Sequence, residues 1–228
     1  MTSIKAVCID IDQTLLDFNA CAFQCIQQGF EDWNLPVRED TFSIFKKIID
    51  QLWLDQERKV LDHETFLQIR WKLIFEALGF KGLDGPAFES LFRRYLNDSH
   101  VPVPGALEAL KTLYGRYPLY IASNGPSGQQ KHRLALADML EYFQDVFTSQ
   151  AFGVQKPDPL FYEKAFEAIQ KDLPGIKKEE VLMIGDSLSA DMEGAAQAGW
   201  QTIWFDGPKD QNDYEACRSW DEVLQKLK

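Results

Sequence analysis

The chain has 228 residues, 45% of them hydrophobic and 26% charged, enough for one large domain or for a domain carrying an insertion. A formal net charge of −11 repels polyanions at long range, which argues against a nucleic acid polymer or an anionic membrane surface as the main partner. No apolar run reaches membrane-spanning length and the N-terminus shows no signal-peptide core, so a cytoplasmic location is expected. The four cysteines, Cys8, Cys21, Cys25 and Cys217, have no metal-site spacing and read as buried, reduced thiols.

Residues 6–9, Ala-Val-Cys-Ile, predict a short strand buried on both faces of a parallel sheet. The strand runs directly into Asp10 and Asp12, with Thr14 two residues further on. Aspartate is a poor strand former, so two of them at a strand end need a reason. In extended chain, residues two apart point to the same side, and both carboxylates then face one small volume. Such a pair suits a hard cation, or a division of labour between a nucleophile and an acid/base.

Helical spacing then takes over. Ala22, Ile26, Gly29 and Trp33 mark one apolar stripe, and Phe42, Phe45, Ile49 and Leu52 a second. Leu67, Trp71, Ile74 and Leu78 mark a third, and Phe88, Phe92 and Tyr95 a fourth behind a Gly85-Pro86 start. Residues 18–96 are expected to form a small helical bundle whose aromatics are its core. From Val101 strands and helices alternate. Strands are predicted at 119–122, 146–148, 181–184 and 202–205, and helices around Leu107–Leu113, Leu134, 160–169 and 190–198. This order predicts an α/β fold, a doubly wound parallel sheet built from residues 1–17 and 97–228.

Three strands end in complementary chemistry. The first gives Asp10 and Asp12. The second gives Ser123, whose hydroxyl, with the backbone N–H groups of Asn124 and beyond, can donate to an anion at a helix start. The third gives Gly185-Asp186, followed by Asp191. Lys156, in Gln-Lys-Pro-Asp-Pro, adds a cation. Together they describe a site for a divalent cation and an anionic group.

These residues resemble the four motifs of the haloacid dehalogenase superfamily, in the same order. Asp10-Ile11-Asp12-Gln13-Thr14 resembles the first motif, Ser123 the second, Lys156 the third, and Gly185-Asp186 through Asp191 the fourth. The helical insertion resembles the cap that one subgroup carries after its first motif, and Thr14-Leu15-Leu16-Asp17-Phe18 looks most like the pyrimidine 5′-nucleotidase-like members. Gln13 departs from the Gly, Asp or Asn common at its position.

The resemblance implies a phosphatase acting on a small phosphorylated substrate. Asp10 would be the nucleophile and Asp12 the acid/base. Mg²⁺ would be held by Asp10, the Asp12 segment through its backbone carbonyl and Asp186, with Asp191 acting directly or through water or Lys156. Ser123, Asn124 and Lys156 would bind the phosphoryl group. A 2-haloacid dehalogenase or a sugar phosphomutase of the same superfamily is the alternative, and displacement of halide would need neither a protonated Asp12 nor a metal.

Overall fold

Ala6–Ile9 forms β1, and all four of its residues are buried. Side chains alternate across a strand. Val7 and Ile9 therefore enter one apolar cluster, with Leu110, Ile121 and Trp220, and Ala6 and Cys8 enter the other, with Tyr120, Phe161 and Met183. The computed structural model describes residues 3–208 and 214–228 and resolves the chain into two units, one made of Met1–Asp17 with His100–Lys228 and one of Phe18–Ser99.

The first unit is built on a parallel sheet whose other strands are β2 (Leu119–Ser123), β3 (Phe143–Thr148), β4 (Val181–Gly185), β5 (Gln201–Phe205) and β6 (Ala216–Cys217). The spatial order is β3-β2-β1-β4-β5-β6, with every adjacent pair parallel. β1 thus lies between β2 and β4, in register Ile9 to Ile121 and Ile9 to Ile184. The strand order reverses at β1, the place where open α/β sheets bind ligands beyond their carboxyl ends.

Helices cover both faces. α5 (Ala106–Tyr114), α6 (Ser127–Leu136) and α10 (Trp220–Lys226) contribute Leu110, Leu134 and Val223 to one cluster. α8 (Pro159–Asp172) and α9 (Gly194–Gln197) contribute Phe161 and Ala195 to the other. Between them in the chain lies α7 (Ser149–Phe152), a single turn. Each such leucine, valine or phenylalanine side chain contributes about 1.5–3 kcal/mol by leaving water.

Two strands differ most from the expectation. β3 starts at Phe143 because Gln144 and Asp145 extend an edge strand while exposed, so the polar residues conceal it. β6 is only two residues long, Ala216 and Cys217, too short for any periodicity.

The chain leaves this unit after Asp17 and returns at His100, and the two passages are tied together. Asp17 N–H donates to Val101 O at 2.8 Å, and Val103 N–H donates to Leu15 O at 2.9 Å.

The second unit holds α1 (Phe18–Asp32), α2 (Thr41–Glu57), α3 (His63–Ala77) and α4 (Gly85–Asp98). Asp62 and Asp84 cap α3 and α4 by accepting from Thr65 N–H at 2.8 Å and Ala87 N–H at 3.0 Å. α4 runs two residues beyond the expected end at 96. Phe30, Trp71, Phe75, Phe88 and Phe92 are buried together, with Trp71 and Phe88 ring centroids 4.3 Å apart, so the aromatics of this unit build its core. A Cβ on Gly29 would stand 2.7 Å from Phe88, so the glycine lets α1 and α4 close up.

Candidate active site

The tips of β2, β1 and β4 are neighbours, and each carries one part of the site. Asp10, the first residue past β1, donates its N–H to Ile184 O at 2.9 Å and so stays in the sheet's register. Its carboxylate, almost fully buried, accepts from Lys156 Nζ at 2.8 Å. The chain then turns tightly. The N–H groups of Thr14, Leu15 and Leu16 all reach Ile11 O, and Gln13 adopts φ +62°. That is the left-handed region where Gly and Asn are at ease, the physical reason for the residues common at this position. Thr14 is buried under the turn, and its carbonyl accepts from Trp220 Nε1 at 3.0 Å.

Lys156 is buried and triply bound. Besides Asp10 its Nζ donates to Asp191 Oδ1 at 2.6 Å and to Ala122 O at 2.6 Å. Burial alone would favour the neutral amine, but Asp10 and Asp191 outweigh it and hold the ammonium above its ordinary pKa. Asn124 sets this lysine's backbone: its Nδ2 donates to Lys156 O at 2.9 Å, and its Oδ1 accepts from Lys156 N–H at 2.8 Å. The Asn124 side chain is thus spent on the lysine loop, which leaves its backbone as the part that can meet an anion.

Beyond β4 the chain enters a π-type turn, Leu188–Glu193, capped by Ser187, which accepts from Ala190 N–H at 3.1 Å. Wide turns of this kind gather at functional sites. This one brings Asp191 back over Gly185, where a Cβ would stand 2.2 Å from its Oδ2. Asp191 Oδ2 accepts from Ser187 N–H at 3.1 Å, so both of its oxygens are engaged.

Asp10, Asp186 and Asp191 each present a carboxylate oxygen within 4.8 Å of the others, in a half-buried to buried setting. Burial pushes the Asp10 carboxyl up to about 7, with Lys156 opposing and Asp191 and Asp12 adding to the rise. Burial, then repulsion from Asp10 and Asp191, raises Asp186 as well. Among the described residues, these three carboxylates stand against the ammonium of Lys156, and all the donors are hard oxygens. That donor set fits a divalent cation of the Mg²⁺ type.

The Asp12 carboxylate stands apart from this group. It accepts from Arg133 Nη1 at 2.7 Å on one oxygen and from Gln130 Nε2 at 2.8 Å on the other, both residues of α6. Gln130 and Arg133 were not expected from the sequence. The available signal was two polar residues in the stripe Gln130, Arg133, Leu134 and Ala137, whose members are all buried. Ser123 stands where expected, at the end of β2, and its Oγ accepts from Gly125 N–H at 3.0 Å.

Fold and site together define a hydrolase of the haloacid dehalogenase type. The sequence matches the haloacid dehalogenase-like hydrolase family over residues 4–199, and the chain belongs to that family. It is 32% identical over 205 residues to the HAD-hydrolase YfnB of Bacillus subtilis (strain 168), spanning 90% of this chain and 85% of that one. It is 35% identical over 202 residues to the pyrimidine 5′-nucleotidase PynA of Streptococcus pneumoniae (strain ATCC BAA-255 / R6), over 88% and 83% of the two chains. The magnesium-bound crystal structure of YfnB superposes with a TM-score of 0.90 at 29% identity, over 99% of both chains. Among the described residues, no helix is long and apolar enough to cross a membrane.

Proposed function

We propose that the protein is a Mg²⁺-dependent phosphomonoesterase that works through an aspartyl-phosphate on Asp10, with a pyrimidine nucleoside 5′-monophosphate as its preferred substrate class. The observation that carries the reaction type is Asp12, a second carboxylate two residues from Asp10. It is held by a buried arginine and glutamine, yet its side chain is still 34% exposed. A leaving alkoxide needs a proton and a departing halide does not, so this group favours phosphate esters over haloacids. The substrate class rests on the similarity to PynA.

In the first step the Asp10 carboxylate attacks phosphorus, the P–O bond to the alcohol breaks, and Asp12 gives its proton to the departing oxygen. In the second, water attacks phosphorus and loses a proton to Asp12, and the P–O bond to Asp10 breaks. Inorganic phosphate leaves and the carboxylate is restored. Ser123 donates to a phosphoryl oxygen, and Lys156, its three hydrogens engaged by Asp10, Asp191 and Ala122, supplies positive charge beside the phosphoryl group as charge shifts. Asp10, the Ile11-to-Asp12 backbone and Asp186 would hold the Mg²⁺, with Asp191 anchoring Lys156 beside them. The bound cation would neutralise charge on the phosphoryl group. The helical unit, inserted where the family carries its caps, is assigned the choice of substrate.

The test is a comparison of pyrimidine and purine 5′-monophosphates, sugar phosphates and p-nitrophenyl phosphate, with Mg²⁺ and with EDTA. Hydrolysis is expected only with the metal, and fastest for UMP- or CMP-type substrates. Full activity in EDTA would overturn the metal assignment, and a flat substrate profile would overturn the nucleotide class.

A further inference from the structure

The hydrogen bonds around Gln130 can be fully accounted for, and the accounting fixes the direction of each. Arginine can only donate, so Arg133 Nη1, 3.0 Å from Gln130 Oε1, orients the amide with its oxygen toward the guanidinium. The two hydrogens on Gln130 Nε2 then point to Asp12 Oδ2 at 2.8 Å and to Ser123 Oγ at 2.9 Å. Ser123 Oγ accepts from Gln130 and also from Gly125 N–H, so its lone pairs are taken and its own proton is left to donate outward. Asp12 meanwhile is held by both oxygens, one on Arg133 and one on Gln130.

Gln130 and Arg133 are each 1% exposed and lie three apart on one helix face. The backbone makes room for them, because a Cβ on Gly125 would stand 2.3 Å from Gln130 Nε2. A buried Gln–Arg pair, a glycine cut back to admit it, and a carboxylate and a hydroxyl wired to one amide amount to more than a solvated helix face.

We propose that Gln130 and Arg133 are positioning residues that set two catalytic elements at once: Gln130 aims the Asp12 carboxylate and the Ser123 hydroxyl, and Arg133 aims Asp12 and fixes the Gln130 amide. The inference rests on the phosphomonoesterase reading, in which Asp12 moves the proton and Ser123 binds a phosphoryl oxygen. It adds that the phosphate-binding and proton-transfer elements share one support. A misplacement near 1 Å can cost about 100-fold in rate, so a support of this kind matters without touching substrate.

The test uses full-length Gln130→Met, Arg133→Lys and Gly125→Ala, each with Mg²⁺, on aryl and alkyl phosphates of graded leaving-group acidity. Gln130→Met keeps the length of the side chain and loses both donors. Gly125→Ala leaves both residues in place and pushes the amide aside. Gln130→Met is expected to lose about 10- to 100-fold in kcat on alkyl phosphates, where proton donation matters most, and under about threefold on p-nitrophenyl phosphate. It should also weaken inhibition by inorganic phosphate several-fold, through Ser123. Gly125→Ala should move in the same direction, and Arg133→Lys, which leaves a shorter ammonium to reach Asp12 and the Gln130 amide, should lose kcat on alkyl phosphates more than on p-nitrophenyl phosphate, by less than Gln130→Met does. Adding Gln130→Met to Asp12→Asn should cost little beyond Asp12→Asn alone on alkyl phosphates.

Losses equal across all leaving groups and tracking a fall in Tm would overturn the proposal, as would full additivity with Asp12→Asn. A wild-type chain inert toward every phosphate ester would instead overturn the phosphomonoesterase reading, and this inference with it.

Discussion

The two units of the chain bury charge in opposite ways. In the helical unit, Arg70 and Glu89 form a buried ion pair: Arg70 Nη2 donates to Glu89 Oε1 at 2.6 Å and its Nε to Glu89 Oε2. The guanidinium lies 5.0 Å from the Phe92 ring centroid and 5.4 Å from that of Phe66. One cation meets one anion, and the geometry is bidentate. In the α/β unit, Asp10 and Asp191 share the ammonium of Lys156, Asp186 stands beside them with no ion pair among the described residues, and burial, then mutual repulsion, raises the Asp10 and Asp186 carboxyls. A neutralised buried pair is a matter of stability, whereas buried charge left unbalanced in its own unit marks chemistry waiting for a partner.

The contrast can be broken at several points. The largest effect is expected at Asp10, where Asp10→Asn should lower turnover on the order of 10⁶-fold, the scale of deleting a nucleophile. No acid-stable phosphoenzyme should form, and the metal-free protein should melt higher, because one of three crowded carboxylates is gone. A lower metal-free Tm would show that the cluster is not under repulsion.

In the helical unit the sign reverses. Arg70→Met leaves Glu89 buried without its partner and should cost about 3–5 kcal/mol in urea unfolding, much of it recovered by adding Glu89→Leu. Equal losses in the single and double variants would mean that packing, not charge, holds the site.

Mg²⁺ at a 100-fold excess over its Kd should stabilise the native protein by about 2.7 kcal/mol, read as a rise in Tm. Asp186→Asn should erase most of that rise, and a rise left intact would place the cation elsewhere.

The smallest effect is at the turn. Gln13→Gly relieves a left-handed backbone at the cost of some chain entropy, for a net gain of up to about 1 kcal/mol with unchanged kcat. A loss of stability would mean that the Gln13 side chain contributes more than its backbone costs.

Much of the site was legible because its residues end strands. Asp10, Ser123 and Asp186 interrupt or follow short apolar runs, and a polar residue in that place stands out in a linear sequence. Gln130 and Arg133 did not stand out, because α6 reads Ser-Gly-Gln-Gln-Lys-His-Arg-Leu-Ala-Leu, a polar helix in which a buried glutamine looks like an exposed one. Asn124 was expected to meet an anion through its backbone N–H, and nothing in the sequence marked its side chain, which clamps the backbone of Lys156 across 32 positions. Trp220 was missed for the same reason, since its bond to Thr14 spans 206 positions. Local spacing announces the groups that react. The groups that hold them come from distant parts of the chain.

The place of β1 in the sheet carries a consequence for how the molecule is made. The strand that runs into Asp10 leaves the ribosome well before both of its neighbours, which begin only at Leu119 and Val181. In the interval, Phe18–Ser99 emerges as a contiguous helical unit whose partners are all near at hand, and local contacts form fast. Synthesis therefore delivers a folded bundle tethered to an unpaired apolar strand, and the last neighbour to arrive completes the sheet around it. Aggregation during translation should start from that waiting strand, and the growing chain is most exposed until Gly185 has emerged.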